Sequence, residues 1–326
     1  MSDASRIGRD RMHLGVLLWP QNTTWPDLLE TARLVDSLGF DSIWTWDHLL
    51  PVYGPAEGDY FESWQILAAW GALTTRVRVG ALVSAATLRS PGLLAKMATT
   101  LDHITGGRAV LGLGAGWLEA EHVAFGLPFG TPGVRVSRLE EAAAIVRSLL
   151  DEPRTTHAGR HYTIVDAAAR PKPLQRRLPL LIGGTGEKRT LRIVARHADM
   201  WHHQFTTPET FARTLGILRR HCEDVGRDPA EILPLTGAYV LVHDGPDIDV
   251  AIEHWGEALA RTHRAERARF EAPIAGTPDA VAERLAAYWT AGARGFVIGM
   301  GAPFDHETLR RVAREVRPCL DEITGQ

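Results

Sequence analysis

Residues 13–39 read HLGVLLWPQNTTWPDLLETARLVDSLG, and this stretch contains one strand–turn–helix unit. Residues 13–19 are mostly apolar and are followed by a proline, which is typical of a short buried strand in a parallel sheet. Thr24 is a suitable N-cap for a predicted helix over residues 25–38, and Gly39 follows the last helical residue. The same order of strand, turn and helix recurs along the chain.

The repetition of this unit predicts an α/β fold with eight parallel strands. The further strands are predicted at residues 41–46, 77–84, 108–113, 179–182, 199–203, 233–242 and 295–300. The further helices are predicted at residues 61–74, 93–104, 136–150, 187–197 and 305–320, with others beginning after Thr207 and Thr277. Eight alternating units favour a closed (β/α)8 TIM barrel, because open parallel sheets of this type usually have about five or six strands.

We expect a single domain over residues 1–326, because no change in composition marks a linker between two domains. Residues 1–12 precede the first strand and are predicted to form a flexible N-terminus. Insertions are expected after the fourth strand, in the Gly- and Pro-rich residues 127–133 and in residues 151–178, which have no strong period. The predicted architecture is therefore one barrel with insertions after strand 4.

The composition excludes several classes of protein. Apolar residues make up 45% of the 326 positions and charged residues 23%, as in ordinary soluble domains. The 36 basic and 39 acidic residues give a net charge of −3 without long runs of one sign, so neither nucleic acid nor a membrane is an expected partner. Cys222 and Cys319 are too few for a disulfide framework, and no segment has the roughly 20 apolar residues of a membrane span. We expect a cytoplasmic protein.

Large aromatic residues stand at several predicted strand ends. In a (β/α)8 barrel the functional site lies at the C-terminal ends of the strands. The tryptophans at or next to such an end are Trp19, Trp46, Trp117 and Trp201. A tryptophan there either packs into the core or forms the wall of a pocket for a flat conjugated ligand, and the sequence leaves both interpretations open.

A glycine-rich turn, GGTGEK at residues 183–188, joins a predicted strand to a helix. Unblocked N–H groups and the positive end of the helix dipole would meet at this turn, as they do in phosphate-binding sites. Lys188 and Arg189 add positive charge, and an ordinary strand–helix turn is the alternative. A second glycine-rich segment, GLGAG at residues 112–116, fails the dinucleotide-binding fingerprint because Trp117 stands at its third glycine position.

Asp47 and His48 form a carboxylate–imidazole pair at the end of the second predicted strand. The histidine can transfer a proton near neutral pH, and the aspartate can orient it or bind a ligand donor. Helix capping by Asp47 is the competing explanation. His202 and His203 are adjacent and would point to opposite faces of a strand, so they cannot bind one metal ion together. No spacing typical of a metal site or of a nucleophilic serine occurs, and no metal is expected.

Seven segments carry a pattern that extends over much of the chain. They are FDSIWTWDHL (40–49), GALVS (80–84), RSPGLLAK (89–96), LDHITGGR (101–108), GLGAGW (112–117), EHVAFG (121–126) and residues 182–199. Their order and spacing resemble the bacterial luciferase-like superfamily, and most closely its F420-dependent oxidoreductase branch. The resemblance implies a (β/α)8 barrel that binds FMN or the deazaflavin F420 at the C-terminal ends of its strands. It also implies a non-prolyl cis peptide bond after the third strand, which falls on Leu82–Val83.

The resemblance also implies a set of site residues. His48 and Asp47 are the implied catalytic residues, with His48 as a proton donor or a contact of the cofactor ring, and the phosphate falls on the glycine-rich turn. The implied cofactor-binding residues are Asp47, Leu82, Val83, Ser84, Ala115, Gly116, Gly183, Gly184, Thr185, Gly186, Glu187 and Lys188. The expected substrate-binding residues are Trp19, Trp46, Val52, Trp117 and Trp201.

Two positions depart from the branch members that oxidise sugar phosphates or alcohols. Those enzymes carry Glu where this chain has Trp117, and Trp where it has Val52. The resemblance therefore implies hydride transfer between F420 and a small apolar substrate, such as reduction of an enone- or imine-like group. An FMN-dependent two-component monooxygenase is the alternative, and a flavin-type binder without turnover is a further one. The expected partners are a small-molecule substrate and an F420 or flavin reductase, and the family implies a homodimer.

Overall fold

A computed structural model describes residues 10–325 of the chain. Of the flexible N-terminus predicted over residues 1–12, residues 1–9 lie outside the described residues. Met12 is fully buried, and its carbonyl accepts a hydrogen bond of 2.5 Å from Arg317 Nη1. The chain is therefore packed against the rest of the protein from Met12 onward.

The strands within residues 10–325 form an eight-stranded barrel, one short strand, β10, that pairs with β9 beside it, and a separate hairpin. In chain order they are β1 (His13–Leu18), β2 (Ser42–Asp47), β3 (Arg78–Ala85), β4 (Ala109–Gly114), β5 (Thr155–Ala158), β6 (Thr163–Ala167), β7 (Leu180–Gly183), β8 (Met200–Gln204), β9 (Leu233–Val242), β10 (Ile274–Gly276) and β11 (Gly295–Met300). Eight of them pair in parallel in the order β1-β2-β3-β4-β7-β8-β9-β11, and β11 pairs back with β1. The predicted closed barrel of eight parallel strands is confirmed.

Helices surround the barrel. They are α1 (Trp25–Ser37), α2 (Ser63–Leu73), α3 (Pro91–Ile104), α4 (Glu119–Ala124), α5 (Pro132–Asp151), α6 (Thr190–His197), α7 (Pro208–Asp224), α8 (Ile248–His263), α9 (Pro278–Thr290), α10 (His306–Arg311) and α11 (Arg317–Thr324). The predicted N-caps Thr24, Thr207 and Thr277 each accept a hydrogen bond from the backbone N–H three residues later. These caps fix where the helices leave the preceding turns.

Some regions differ from the sequence-based expectation. The glycine-rich turn is longer than predicted, and α6 begins at Thr190 rather than at residue 187. Residues 151–178 contain the antiparallel hairpin β5–β6. The segment between β9 and β10, residues 243–273, contains α8 and a 3₁₀ turn, which the sequence did not predict. Only Gly256, Leu259 and His263 of α8 are buried, so its apolar pattern is weak. We call residues 243–273 the β9–β10 insertion.

An indole side chain determines how the barrel interior packs. Trp44 of β2 is fully buried, and its Nε1 donates a hydrogen bond of 2.7 Å to Ser42 Oγ. A Cβ atom at Gly15 would lie 2.8 Å from Trp44 Nε1, and one at Gly80 would lie 2.8 Å from Trp44 Cζ3. Nonbonded contacts this short do not occur in well-packed interiors, so the indole fits because both neighbouring strands carry glycine beside it.

One carboxylate fixes the end of α1 to the start of β3. Asp36 accepts hydrogen bonds from the backbone N–H groups of Thr75 (3.0 Å), Arg76 (2.8 Å) and Val77 (2.9 Å). Burial raises the pKa of the Asp36 carboxyl, but the backbone hydrogen bonds outweigh burial and hold the pKa below its usual value. A carboxyl with a lowered pKa stabilises the fold above its unfolded pKa. This contribution is lost as the pH falls through the folded pKa.

We predict that Asp36→Ala lowers the free energy of unfolding by about 1–3 kcal/mol at neutral pH, because three backbone donors lose their acceptor. The difference in the free energy of unfolding between Asp36→Ala and wild type should become smaller as the pH falls into the acidic range, where the wild-type carboxylate is protonated. Urea unfolding at several pH values measures both effects. Ser37→Ala, at the exposed next position, is the control and should change the free energy by less than about 0.5 kcal/mol. A difference that does not vary with pH would contradict the role of the charge.

Candidate active site

A cavity of about 670 Å³ opens at the C-terminal ends of the barrel strands. Residues from β2, β3, β4, β7 and β8, or from the turns that follow them, form most of its wall, and the β9–β10 insertion contributes Arg269. Cavities of a few hundred Å³ lined by apolar side chains and a few polar groups are typical of sites for cofactors and small ligands. The cavity lies where the barrel predicts the functional site.

The structure brings most of the predicted site residues to this cavity. Those that line it are Trp46, His48, Val52, Leu82, Val83, Ala115, Gly116, Trp117, Gly183, Gly184 and Thr185. Asp47 and Ser84 are buried behind the wall, where both accept hydrogen bonds from Trp64 Nε1. The other predicted residues do not line the cavity: Gly186, Glu187 and Lys188 are exposed in the turn, whereas Trp19 and Trp201 are fully buried.

Glycines form the floor of the cavity where β3, β4 and β7 meet. The peptide bond between Leu82 and Val83 is cis, as the resemblance implies. A Cβ atom at Gly114 would lie 2.6 Å from Val83 Cγ2, and one at Gly183 would lie 3.2 Å from the same side chain. The Val83 side chain therefore fills the space beside two glycines, and this part of the floor has room for it only because both positions lack a side chain.

The turn between β7 and α6 is fixed to β8. Gly184 has a φ of +129°, a backbone conformation that residues with a side chain rarely adopt. Its N–H donates to His202 O at 3.2 Å, and its carbonyl accepts a hydrogen bond of 2.9 Å from Trp201 Nε1. Lys188 is exposed in this turn, whereas Arg189 donates to a carbonyl of α5. Trp201 therefore supports the turn from the barrel.

His48 is paired with a buried carboxylate that the sequence patterns did not reveal. Its Nδ1 lies 3.0 and 3.1 Å from the two carboxylate oxygens of Glu121, whose side chain is fully buried. Leu49 N also donates to Glu121 Oε2, at 2.8 Å. A carboxylate can only accept hydrogen bonds, so we assign the proton of this contact to Nδ1. His48 Nε2 has no hydrogen-bond partner among residues 10–325 and is left for a ligand in the cavity.

Glu121 could not be found by local spacing, because it lies 73 positions from His48 in sequence. It belongs to α4, a segment of six residues whose buried side consists of Glu121 and His122. His122 has partners of its own, Thr87 Oγ1 at 2.8 Å and Leu118 O at 2.9 Å. Glu121 becomes recognisable only in the structure, as a carboxylate on the buried side of this short helix.

Asp47 belongs to a different charged pair. Its Oδ2 accepts hydrogen bonds from Arg89 Nη1 at 2.6 Å and from Trp64 Nε1 at 3.1 Å, and Arg89 also contacts Glu62 at 2.5 Å. Burial raises the pKa of the Asp47 carboxyl, and the charge of Arg89 acts in the opposite direction. The competing explanation of Asp47 as a helix cap is wrong, because Glu62 caps α2 by accepting from Gln65 N at 2.8 Å.

Two further histidines reach the cavity from β8. Burial lowers the pKa of His202 to about 3, and His203 acts in the same direction. Burial also lowers the pKa of His203, with a smaller contribution from Arg213. His202 Nε2 and His203 Nδ1 are buried without a hydrogen-bond partner in the described part of the chain. Two polar atoms of residues that line the cavity are thus left without a partner, and His202 is neutral at pH 7.

Stacked aromatic side chains fill the rim beside the cavity. Trp19 stacks on Trp46, with ring centroids 4.8 Å apart, and on Tyr53, with centroids 5.0 Å apart. Phe270 of the β9–β10 insertion lies 4.9 Å from the Tyr53 ring. Trp46 and Tyr53 line the cavity, and Trp19 lies between them and the core. At the rim, Trp46 and Tyr53 therefore form part of the cavity wall, whereas Trp19 belongs to the core.

Within residues 10–325, no group of three or more His, Cys, Asp or Glu side chains is arranged to hold a metal ion. Cys222 and Cys319 are both free. None of the helices in the same range combines the length and the apolar composition needed to cross a membrane.

Comparison with known proteins identifies one family. The model of the luciferase-like monooxygenase family matches residues 12–295. An F420-dependent glucose-6-phosphate dehydrogenase of Microbacterium testaceum is 30% identical over 322 residues, which cover 90% of this chain and 93% of the relative. The family match includes every strand from β1 to β10.

Two solved structures are similar in fold. An F420-dependent secondary alcohol dehydrogenase in complex with an F420–acetone adduct has a TM-score of 0.81 and 21% identity, covering 95% of this chain and 99% of its own. The oxygenating constituent of 3,6-diketocamphane monooxygenase of Pseudomonas putida, in complex with FMN, has a TM-score of 0.73 and 16% identity, covering 94% and 98%. Identities this low show the fold alone, and the fold is the luciferase-like barrel predicted from the sequence.

We predict that Glu121→Ala lowers the free energy of unfolding by about 1–3 kcal/mol, because the N–H groups of His48 and Leu49 lose a buried acceptor. Glu121→Gln keeps an acceptor oxygen, so its free energy of unfolding should fall by less than that of Glu121→Ala. Urea unfolding measures the stability, and the ¹⁵N shifts of the His48 ring report whether Nδ1 carries the proton. Glu119→Ala, at an exposed position of the same helix, is the control. Equal stability and an unchanged His48 ring in Glu121→Ala would contradict the pairing.

Proposed function

This chain belongs to the luciferase-like monooxygenase family, and we propose that it transfers a hydride between the deazaflavin F420 and a small organic substrate. The observation that carries the proposal is a cavity in which a glycine floor adjoins a histidine held by a buried carboxylate. The 30% identity to an F420-dependent dehydrogenase supports the choice of cofactor. The same relative and the family confirm the prediction that the chain is an enzyme.

The residues of the cavity fit a flat ring that carries a phosphorylated chain. We propose that the ring lies against Leu82, Val83 and Ala115, and that the phosphate lies at the turn around Gly184. A side chain at Gly184 would fill this space, since its Cβ would come within 3.2 Å of Thr190 Cγ2. F420, when bound, supplies the carbon that donates or accepts the hydride. The acidic tail of F420 would leave over the exposed end of the turn, which carries the positive charge of Lys188.

His48 is the proposed proton donor. Glu121 holds Nδ1, so the imidazole presents Nε2 to the cavity. In its protonated form the ring can give the Nε2 proton to a substrate heteroatom as the neighbouring carbon receives a hydride, while the contact of Glu121 with Nδ1 keeps the ring oriented. His202 cannot take this role at pH 7, because burial lowers its pKa to about 3.

We propose that the body of the substrate is apolar. Val52 and Phe205 line the cavity together with Trp46, and Trp117 lies edge-on to His48 with ring centroids 5.6 Å apart. Trp117 is 59% exposed, so a bound molecule can cover it. No Asp or Glu belongs to the lining, which leaves no carboxylate to take a proton from an alcohol. Reduction of an enone- or imine-like group, with His48 as the acid, fits these walls.

An FMN-dependent two-component monooxygenase is the competing function, and the shared fold of an FMN-bound monooxygenase is the observation in its favour. A binder without turnover is a third outcome. Under the main proposal, an F420 reductase or flavin reductase supplies the electrons. We further propose that the chain acts as one barrel domain and assembles as a homodimer.

Fluorescence titration of the purified protein should show tighter binding of F420 than of FMN. Gly184→Val should weaken F420 binding by roughly 100-fold or more, because its side chain occupies the phosphate position and strains the backbone. Gly226→Val is the matched control, since Gly226 also has a positive φ, of +70°, but lies outside the cavity. Micromolar FMN binding without F420 binding would overturn the choice of cofactor. Unchanged binding in Gly184→Val would contradict the phosphate site.

His48→Ala should reduce turnover by roughly 10²- to 10⁴-fold, because the reaction loses its proton donor. The dissociation constant for F420 should change by less than about tenfold, since the glycine floor and turn are intact. Steady-state kinetics with an enone panel and F420 titration measure the two effects. His254→Ala, at an exposed position of α8, is the control. Near-normal turnover of His48→Ala would exclude the proposed role, and F420 binding with no turnover of any substrate by wild type would favour the binder.

A further inference from the structure

One side chain gives the cavity a permanent charge. Arg269 lies on the 3₁₀ turn Arg267–Arg269 of the β9–β10 insertion and lines the cavity. The other titratable groups of the lining are three histidines and Tyr53, and no Asp or Glu is among them. The cavity lining therefore has a guanidinium and no acid, while the exposed Glu271, whose charge acts on Tyr53 and Tyr239, lies outside the lining.

The guanidinium of Arg269 has no counter-ion in the described part of the chain. Its Cζ lies 5.9 Å from the centre of the Tyr53 ring, which also lines the cavity. The two buried carboxylates nearest the site already have basic partners, since Glu121 contacts His48 and Asp47 contacts Arg89. The charge of Arg269 is thus available to a ligand.

The turn that carries Arg269 is held in place by the rim. Phe270 is buried in the aromatic cluster, 4.9 Å from Tyr53, and Arg267 Nη1 donates to its carbonyl at 3.2 Å. At the end of α8, His263 Nδ1 contacts Gln21 Nε2 at 2.9 Å, and Gln21 Oε1 accepts from Val52 N at 2.7 Å. These contacts join the insertion to the turns after β1 and β2, so the backbone that carries Arg269 is held in place while the Arg269 side chain is exposed.

We propose that the substrate carries an anionic group, such as a carboxylate, and that Arg269 binds it while His48 serves the reducible group in the same cavity. This inference rests on the proposed function, because it assigns the substrate class of that site. A substrate that fills the cavity removes water from the guanidinium, and a charged group that loses water without a partner is costly. A carboxylate can accept two parallel hydrogen bonds from a guanidinium, which makes it the best-matched partner.

The cofactor offers the same chemistry, because F420 has acidic groups of its own. The two positions are separated in the barrel: the glycine-rich turn follows β7, whereas Arg269 contacts Tyr53 after β2, with β3 and β4 between these strands. Lys188 is an exposed cation at the turn, and the exposed Arg189 beside it already contacts α5. We therefore assign Arg269 to the substrate and Lys188 to the cofactor tail.

Calorimetric titration with benzoate and its neutral counterpart benzamide tests this assignment without any turnover. In the F420-saturated protein, benzoate should bind at least about tenfold more tightly than benzamide, in line with the strength of charge-assisted pairs. Arg269→Gln should abolish this preference while the dissociation constant for F420 changes by less than about threefold. Arg269→Lys should keep part of the preference, because it keeps the charge. Arg261→Gln removes the same charge from an exposed position of the insertion and should have no effect.

Two results would overturn the assignment. Equal affinities for benzoate and benzamide in wild type would show that the cavity has no anion site. Weaker F420 binding in Arg269→Gln, by tenfold or more, would assign the guanidinium to the cofactor instead. The same comparison in cofactor-free protein separates the two proposals, since a benzoate preference without F420 binding would contradict the proposed function alone. The melting temperature of Arg269→Gln controls for folding.

Discussion

A closed barrel of eight strands has an interior of nearly fixed volume, and side chains from the strands must fill it. Here Trp44 occupies the centre, and it fits because Gly15 and Gly80 leave room beside it. Towards the rim, side chains fill only part of the barrel interior. Trp19 and Phe270 fill one arc together with their aromatic neighbours. The arc from β2 to β8 is left open, and the cavity is the unfilled part of the interior.

The charges around the cavity follow a common arrangement. Two acidic groups near the wall are buried behind it and bound to a basic or imidazole partner, Glu121 to His48 and Asp47 to Arg89. The surface that a ligand meets therefore consists of aromatic and aliphatic side chains, glycines, hydroxyl groups and nitrogen-containing side chains, with no carboxylate. Because burial keeps His202 neutral, we assign the proposed proton-transfer role to His48, which has a carboxylate behind it.

The parts that were predictable from sequence are those set by short-range patterns. Thr24 and its following helix, the turn around Gly184 and the placement of His48 at a strand end all follow from residues within a few positions. Glu121 was not predictable, because its contact with His48 depends on how the segment after β4 folds back over the rim. Helix α8 was missed because it buries few apolar residues.

The tryptophans at the rim show a second reason why parts of the site could not be predicted from the sequence. Trp19 and Trp46 occupy equivalent places at the ends of neighbouring strands, yet Trp19 is core and Trp46 is wall. The difference arises from the β9–β10 insertion, which covers Trp19 with Phe270 and His263. Whether Trp19 is buried or lines the cavity depends on a segment more than two hundred positions away, so no local sequence pattern predicts it.

The residues around the cavity come from two different parts of the fold, the barrel strands and the β9–β10 insertion. The glycine floor and the turn around Gly184 come from β3, β4 and β7, whereas Arg269 comes from a segment joined to the barrel through Gln21 and a few aromatic contacts. Mutations within residues 243–273 can therefore alter which molecules are accepted without touching the strands beneath the floor.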